Sequence, residues 1–113
     1  MANRSTRFSS SRSVTRLAGV AHALSNPVRQ RLLECLFAGE LTVSQLAEAT
    51  GQSHANASAQ LKVLAEAELV RWRKHGRNVY YRVSDTSVMT YWASLHALAE
   101  RDAPANALAT GRQ

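Results

Sequence analysis

Apolar residues recur at helical spacing over Val14, Leu17, Ala18, Ala21 and Leu24, which predicts a first amphipathic helix. Ser25-Asn26-Pro27 then resets the chain, because Asn26 is a favourable N-cap and Pro27 a favourable first helical residue. The second helix runs to about Phe37, turns Val28, Leu32, Cys35 and Leu36 inward, and ends at Gly39. Thr42 with Gln45 three positions on has the form of a capping box and opens a third helix, Thr42–Thr50, buried through Val43, Leu46 and Ala47. Gly51-Gln52 makes a tight turn. A fourth helix follows over Ser53–Ala67, capped by Ser53, with Ala57, Leu61, Leu64 and Ala65 apolar. The period then changes from helical to alternating. Leu69–Lys74 and Asn78–Val83 predict the strands of a hairpin with His75-Gly76 as its turn. Asp85 or Thr86 caps a last helix from about Ser87 to Arg101, whose stripe is Val88, Tyr91, Trp92, Leu95, Leu98 and Ala99.

The order helix, tight turn, helix, hairpin between Leu41 and Val83 is the order a winged helix-turn-helix needs. One helix enters the major groove of duplex DNA and the hairpin lies along the phosphates beside it. The predicted fold is therefore mainly α with a β-hairpin wing: four helices, two strands and a fifth helix. Charge supports this reading. The chain carries 14 Lys and Arg against 8 Asp and Glu, a formal net charge of +6, which suits a polyanionic partner. An anionic membrane suits it less well. No apolar run approaches the roughly 20 residues needed to span a bilayer, and the cations gather on a hairpin instead of one helix face.

The candidate chemistry sits in two places. Ser53, His54, Asn56, Ser58 and Gln60 fill the first turns of the fourth helix, separated by Ala55, Ala57 and Ala59, with Lys62 following. Alanines allow close approach to base edges, Asn and Gln can bind adenine with two hydrogen bonds, and Ser, His and Lys can serve bases or phosphates. A helix start is polar in many proteins, so the segment gains meaning from the basic hairpin behind it. In that hairpin, Arg71, Arg73, Lys74, Arg77 and Arg82 concentrate positive charge, and each phosphate they neutralise would release a counterion. The plainer role of such charges is to protect a sheet edge from aggregation. Tyr80 and Tyr81 point to opposite faces, one for the core and one toward a phosphate, and Trp72 is read as packing.

Asn26-Pro27-Val28-Arg29, Gly39-Glu40-Leu41-Thr42-Val43, the run HANASAQLKVL and the wing sequence GRNVYYRVSD resemble the ArsR/SmtB family of bacterial regulators. The resemblance extends over most of Val14 to Glu100. The run ANAS resembles the DNA-binding half of members coupled to a rhodanese domain, and no such domain is visible in these 113 residues. The resemblance implies a homodimeric repressor in the cytoplasm, joined through its first and last helices and released from its operator by a metal or small ligand. The family's third-helix metal site uses a Cys-x-Cys pair, and here Thr42 and Ser44 stand at those positions. Neutral hydroxyls are poor ligands for soft or borderline metals. For the last-helix site Asp85 is present, but Ser87, Leu98 and Arg101 occupy the other positions, and one carboxylate does not make a zinc site. Members that sense persulfides or oxidants pair a second-helix cysteine with one in the last helix. Cys35 is the sole cysteine and lies one position off the usual place.

A single cysteine excludes a disulfide within the chain and agrees with a reducing compartment. Cys35 reads as a small hydrophobe in an apolar stripe, with a thiol switch as the sharper alternative. His96 and Glu100 read as a helix-surface pair, and His22 and His75 as interface or surface residues. No nucleophile–base pair, phosphate-cradling glycine loop or paired carboxylates suggests an enzyme, and no cofactor is implied. The competing reading is a winged-helix module for protein association without DNA binding. Residues 1–12, rich in Arg and Ser, are expected to form a flexible basic arm, with an organelle transit peptide as the compositional alternative, residues 13–101 the domain, and residues 102–113 a frayed tail.

Overall fold

The computed structural model describes residues 10–101, so the remainder of the predicted arm and the predicted tail lie outside the described residues. Helix α1 spans Ser11–Ala23 and starts inside the predicted arm, because the Ser10 hydroxyl accepts from the Ser13 N–H at 3.0 Å and caps it. Helix α2 spans Pro27–Leu36. Asn26 caps it by accepting from the Val28 and Arg29 N–H groups at 2.8 and 3.1 Å. Its inward stripe differs from the predicted one. Arg29, Leu32, Leu33 and Leu36 are buried, whereas Val28 and Cys35 are half-buried.

A short strand β1, Leu41–Thr42, is an element that the local pattern does not predict. Thr42 both ends it and caps helix α3, Val43–Thr50, through the capping box: Gln45 N–H to Thr42 Oγ1 at 3.1 Å and Thr42 N–H to Gln45 Oε1 at 2.9 Å. Gly51 takes φ 69°, the left-handed conformation that lets the chain turn after α3 while the Gln52 N–H reaches back to the Ala47 carbonyl. Helix α4, His54–Glu66, begins at the Ser53 cap. It ends in the same way as α3 but without glycine. Glu68 sits at φ 64° while the Glu68 and Leu69 N–H groups donate to the Ala65 and Leu64 carbonyls.

Strands β2, Val70–His75, and β3, Asn78–Val83, pair antiparallel, and β1 adds to the far edge of β3, giving the order β1-β3-β2. The hairpin turn is Gly76-Arg77, one residue beyond the predicted His75-Gly76, since His75 still pairs with Asn78. Gly76 at φ 64° supplies the positive φ that a two-residue hairpin turn requires at its first position. Helix α5, Thr86–Glu100, starts at Asp85. One core joins Leu32, Leu33 and Leu36 of α2, Val43 and Leu46 of α3, Ala57, Leu61 and Leu64 of α4, and Val70 and Tyr81 of the sheet. Only Ala23 of α1 and Val88 of α5 are buried with it, so both end helices project from the core with apolar residues uncovered.

Candidate nucleic-acid interface

Helix α4 has three sides. Ala57, Leu61 and Leu64 face the core. One helical turn apart, His54, Ser58 and Lys62 line a cleft of about 650 Å3 between α4 and the wing, whose other walls include Val43, Trp72, Arg77, Val79 and Tyr81. Ala55 and Ala59 lie exposed beside them, so the open side of the helix is flat enough for close approach to a groove floor. The third side is polar and half-buried. Gln60 accepts from Arg29 Nη1 at 2.7 Å and donates to Asn56 Oδ1 at 3.3 Å, and Asn56 Nδ2 donates to Gln52 Oε1 at 2.6 Å. The structure thus divides the predicted readers: His54, Ser58 and Lys62 border the cleft, while Asn56 and Gln60 belong to a half-buried hydrogen-bond chain beside it. The Ser53 hydroxyl accepts from the Asn56 N–H at 3.0 Å as the helix cap.

Pleating divides the wing cations in the same manner. Strand register places Val70, Trp72 and Lys74 opposite Val83, Tyr81 and Val79, on the face toward α4. Arg71, Arg73 and His75 share the other face with Arg82, Tyr80 and Asn78. Arg73 is committed there. Its guanidinium lies 4.6 Å from the Tyr80 ring centroid and binds both Glu40 oxygens at 2.9 Å. That hydrogen-bonded guanidinium, with Arg82 nearby, holds the Glu40 carboxyl below its ordinary pKa. Arg71 sits directly opposite Arg82, a like-charge pair. Among the described residues, Lys62, Lys74 and Arg77 are in no ion pair, and all three are exposed. Tyr81 is buried and Tyr80 lies beneath Arg73, in agreement with the opposite faces predicted for them. Trp72 is a correction. It is 58 % exposed on the wall of the cleft instead of packed.

Two participants escape a reading of the sequence. Arg29 is 7 % exposed, and its guanidinium reaches three neutral acceptors in other elements. A signal exists, since Arg29, Leu32, Leu33 and Leu36 have the i, i+3, i+4, i+7 pattern of a buried face once a cation is allowed on it. Glu40 carries no such signal, because its partner Arg73 is 33 residues away and is brought close by the unpredicted β1–β3 pairing.

A helix-turn-helix domain family model matches residues 24–72. The transcriptional repressor SmtB homolog of Synechocystis is 43 % identical over 70 residues, covering 62 % of this chain and 53 % of that protein. The chain thus spans about half the length of that relative. The transcriptional repressor SdpR of Bacillus subtilis is 31 % identical over 67 residues, 59 % of this chain and 74 % of its own length. Among solved structures, a homodimeric winged helix-turn-helix DNA-binding domain from Mycobacterium bovis, described as a possible ArsR-family regulator, superposes with a TM-score of 0.73 at 34 % identity. It covers 77 % of this chain and 81 % of that one.

The chain belongs to the ArsR/SmtB family of winged helix-turn-helix transcriptional regulators. In this family member, the residues at the expected metal positions are occupied otherwise. The Thr42 hydroxyl accepts the capping bond of α3, and the Ser87 hydroxyl and N–H both donate to the Asp85 carboxylate, which lowers the Asp85 pKa. These residues do not fit a zinc or thiophilic-metal site. Among the described residues, no three His, Cys, Asp or Glu side chains come together as a metal-binding group. His96 and Glu100 form a surface pair at 3.5 Å. Burial, reinforced by the Glu34 carboxylate, raises the Cys35 thiol pKa, which disfavours the reactive thiolate. No helix among the described residues is long and apolar enough to cross a membrane.

Proposed function

We propose that this protein is a homodimeric, sequence-specific repressor that acts in the cytoplasm, reads duplex DNA with α4 and holds the flanking backbone with its wing. It catalyses no reaction in this reading. The observation that carries it is the cleft between α4 and the hairpin. Its α4 wall carries Lys62 and His54, its wing wall carries Arg77, and Trp72 and Val79 offer apolar surface between them. One strand of a duplex has the matching chemistry, with phosphates for the cations and deoxyribose for Trp72. The open Ala55–Ser58–Ala59 surface of α4 then faces the major groove.

Uncovered apolar residues on the end helices support the dimer. Leu17 of α1 is 69 % exposed and Leu98 of α5 is 55 % exposed, with Val14, Tyr91 and Leu95 also uncovered on these helices. A patch of this kind on a small domain marks an interaction surface. Two-fold pairing through α1 and α5 would set two α4 helices about one DNA turn, roughly 34 Å, apart, so the operator is an imperfect palindrome. The signal acts neither at Thr42 and Ser44 nor at Asp85. It is either unknown or redox-linked through Cys35, and the raised thiol pKa weighs against the second.

The test is a binding series against the upstream duplex and a random duplex across salt concentrations, with the protein's mass in solution measured alongside. Dimers that prefer the upstream duplex and lose affinity steeply with salt are expected. Dimers without DNA affinity at any salt would replace this reading with the association module.

A further inference from the structure

We propose that Arg29 is a positioning residue for DNA reading: its buried charge sets the donor–acceptor direction of the Gln60–Asn56–Gln52 amides and ties them to the end of α1. The inference rests on the DNA-binding reading above. Buried cations are ordinarily matched by a carboxylate, and among the described residues Arg29 forms no ion pair. Its Nε donates to the Ala23 carbonyl at 2.8 Å and Nη2 to the His22 carbonyl at 2.9 Å. Those carbonyls belong to the last turn of α1, the negative end of the helix dipole, which is where a cation is stabilised without an acid. The third bond, Nη1 to Gln60 Oε1 at 2.7 Å, leaves α1 for the reading helix.

Arginine can only donate. Gln60 must therefore present its oxygen to Arg29, which turns its NH2 group toward Asn56. Asn56 accepts through Oδ1, and its own NH2 group then points to Gln52. The donor-only guanidinium thus sets the order at Gln60 and Asn56 from one end, and a longer bond from Gln52 Nε2 to the Thr50 carbonyl, 3.4 Å, closes the chain at the other. The direction matters because adenine is recognised by a donor and an acceptor placed in a set order, and a reversed amide presents the opposite order. Asn56 and Gln52 lie at the start of α4 and in the turn before it, where the helix meets the groove. The same guanidinium grips α1, whose residues are exposed except for Ala23 and the half-buried Val20. A change in the seat of α1 therefore moves the group that orders the amides.

The test compares the parent with Gln60→Glu, Gln60→Met, Arg29→Met and the double variant Arg29→Met/Gln60→Met, all in the full chain. Each is used in selection from randomised duplexes, in binding to the parent's selected duplex and to random duplex, and in thermal melting. Gln60→Glu keeps the Arg29 contact but offers only acceptors, so Asn56 must reverse. The expected result is a melting temperature no lower than the parent's, a changed preferred base at one position per half-site, and about a tenfold loss of preference for the parent's duplex. Gln60→Met and the double variant should lose that preference equally, because both remove the same link. If Arg29→Met fails to fold, Arg29→Gln, which keeps polar contacts but is no longer donor-only, takes its place in the single and the double variant. An unchanged selected sequence in Gln60→Glu would overturn the proposal, as would losses that multiply in the double variant, since Gln60 would then read bases itself. A parent that enriches no sequence would overturn the DNA-reading proposal, and this one with it.

Discussion

The α2–α3–α4 bundle and the pair α1 and α5 both carry apolar stripes, but the stripes have opposite fates. Leu32, Leu33, Leu36, Leu46, Leu61 and Leu64 in the bundle are fully buried, whereas Val14, Leu17, Tyr91, Leu95 and Leu98 on the end helices are exposed. The bundle completes its own core within one chain and packs α4 into it through Ala57, Leu61 and Leu64. The end helices carry stripes that the described residues leave uncovered, as the proposed dimer requires. Under that proposal, stability and assembly are encoded in different segments of the sequence.

Truncation separates the two regions most strongly. Leu61→Ala should cost about 2–5 kcal/mol in urea unfolding, the range for a buried leucine whose cavity cannot close. Leu98→Ala should leave the unfolding of the single chain within about 0.5 kcal/mol and instead raise the dimer dissociation constant about tenfold or more in sedimentation. Equal losses of chain stability from both would break the contrast.

Within the wing, the contrast is between free and committed cations. Arg77→Ala should weaken binding to every duplex and reduce the slope of log K against log salt by about 0.9 for each phosphate left without its cation. Arg73→Ala should change that slope much less, because Arg73 is held by Glu40 and Tyr80. If the two slopes fall alike, the Glu40 pair opens on DNA.

Acid should act on the sheet edge and on the start of α5, and leave the bundle. Glu40 and Asp85 both have lowered pKa values, Glu40 through Arg73 and Asp85 through Ser87. A depressed carboxylate contributes stability above its unfolded pKa, and that contribution disappears as pH falls through the folded value. The melting temperature should therefore drop as pH is lowered below about 4.5, and Glu40→Gln should remove part of the dependence. An identical pH profile in the variant would show that the pair adds nothing.

The smallest expected effect is a gain. Glu68 adopts the left-handed conformation at the end of α4, where glycine is unstrained, and its Arg16 partner is exposed. Glu68→Gly should stabilise the chain by about 0.5 kcal/mol, the relief of strain less the added chain entropy of glycine. A decrease in thermal or urea stability would show that the exposed pair with Arg16 outweighs that strain.

Most of the element order was legible because its signals are local. Asn26-Pro27, the Thr42–Gln45 capping box, Gly51 and the Ser53 cap all act within four residues, and they set the helix boundaries around α2, α3 and α4. The readings of the site that changed depended on distant partners. Arg29 resembles a surface cation until α1 and Gln60 close around it, and Arg73 resembles a free one until β1 brings Glu40 to it. Asn56 and Gln60 have the right chemistry for bases, but the side of α4 they occupy is decided by how the helix rolls onto α2. Trp72 has the alternation of a packed strand residue, yet the space it would fill is the cleft.

By itself, then, the sequence determined the succession of helices and strands and the basic character of the wing, since these reside in residue types and short spacings. The tertiary structure alone decided which cations remain available, which amides bond to one another and which apolar stripes stay uncovered. Those properties depend on charges and surfaces meeting across dozens of residues, and no local pattern in the chain carries that information.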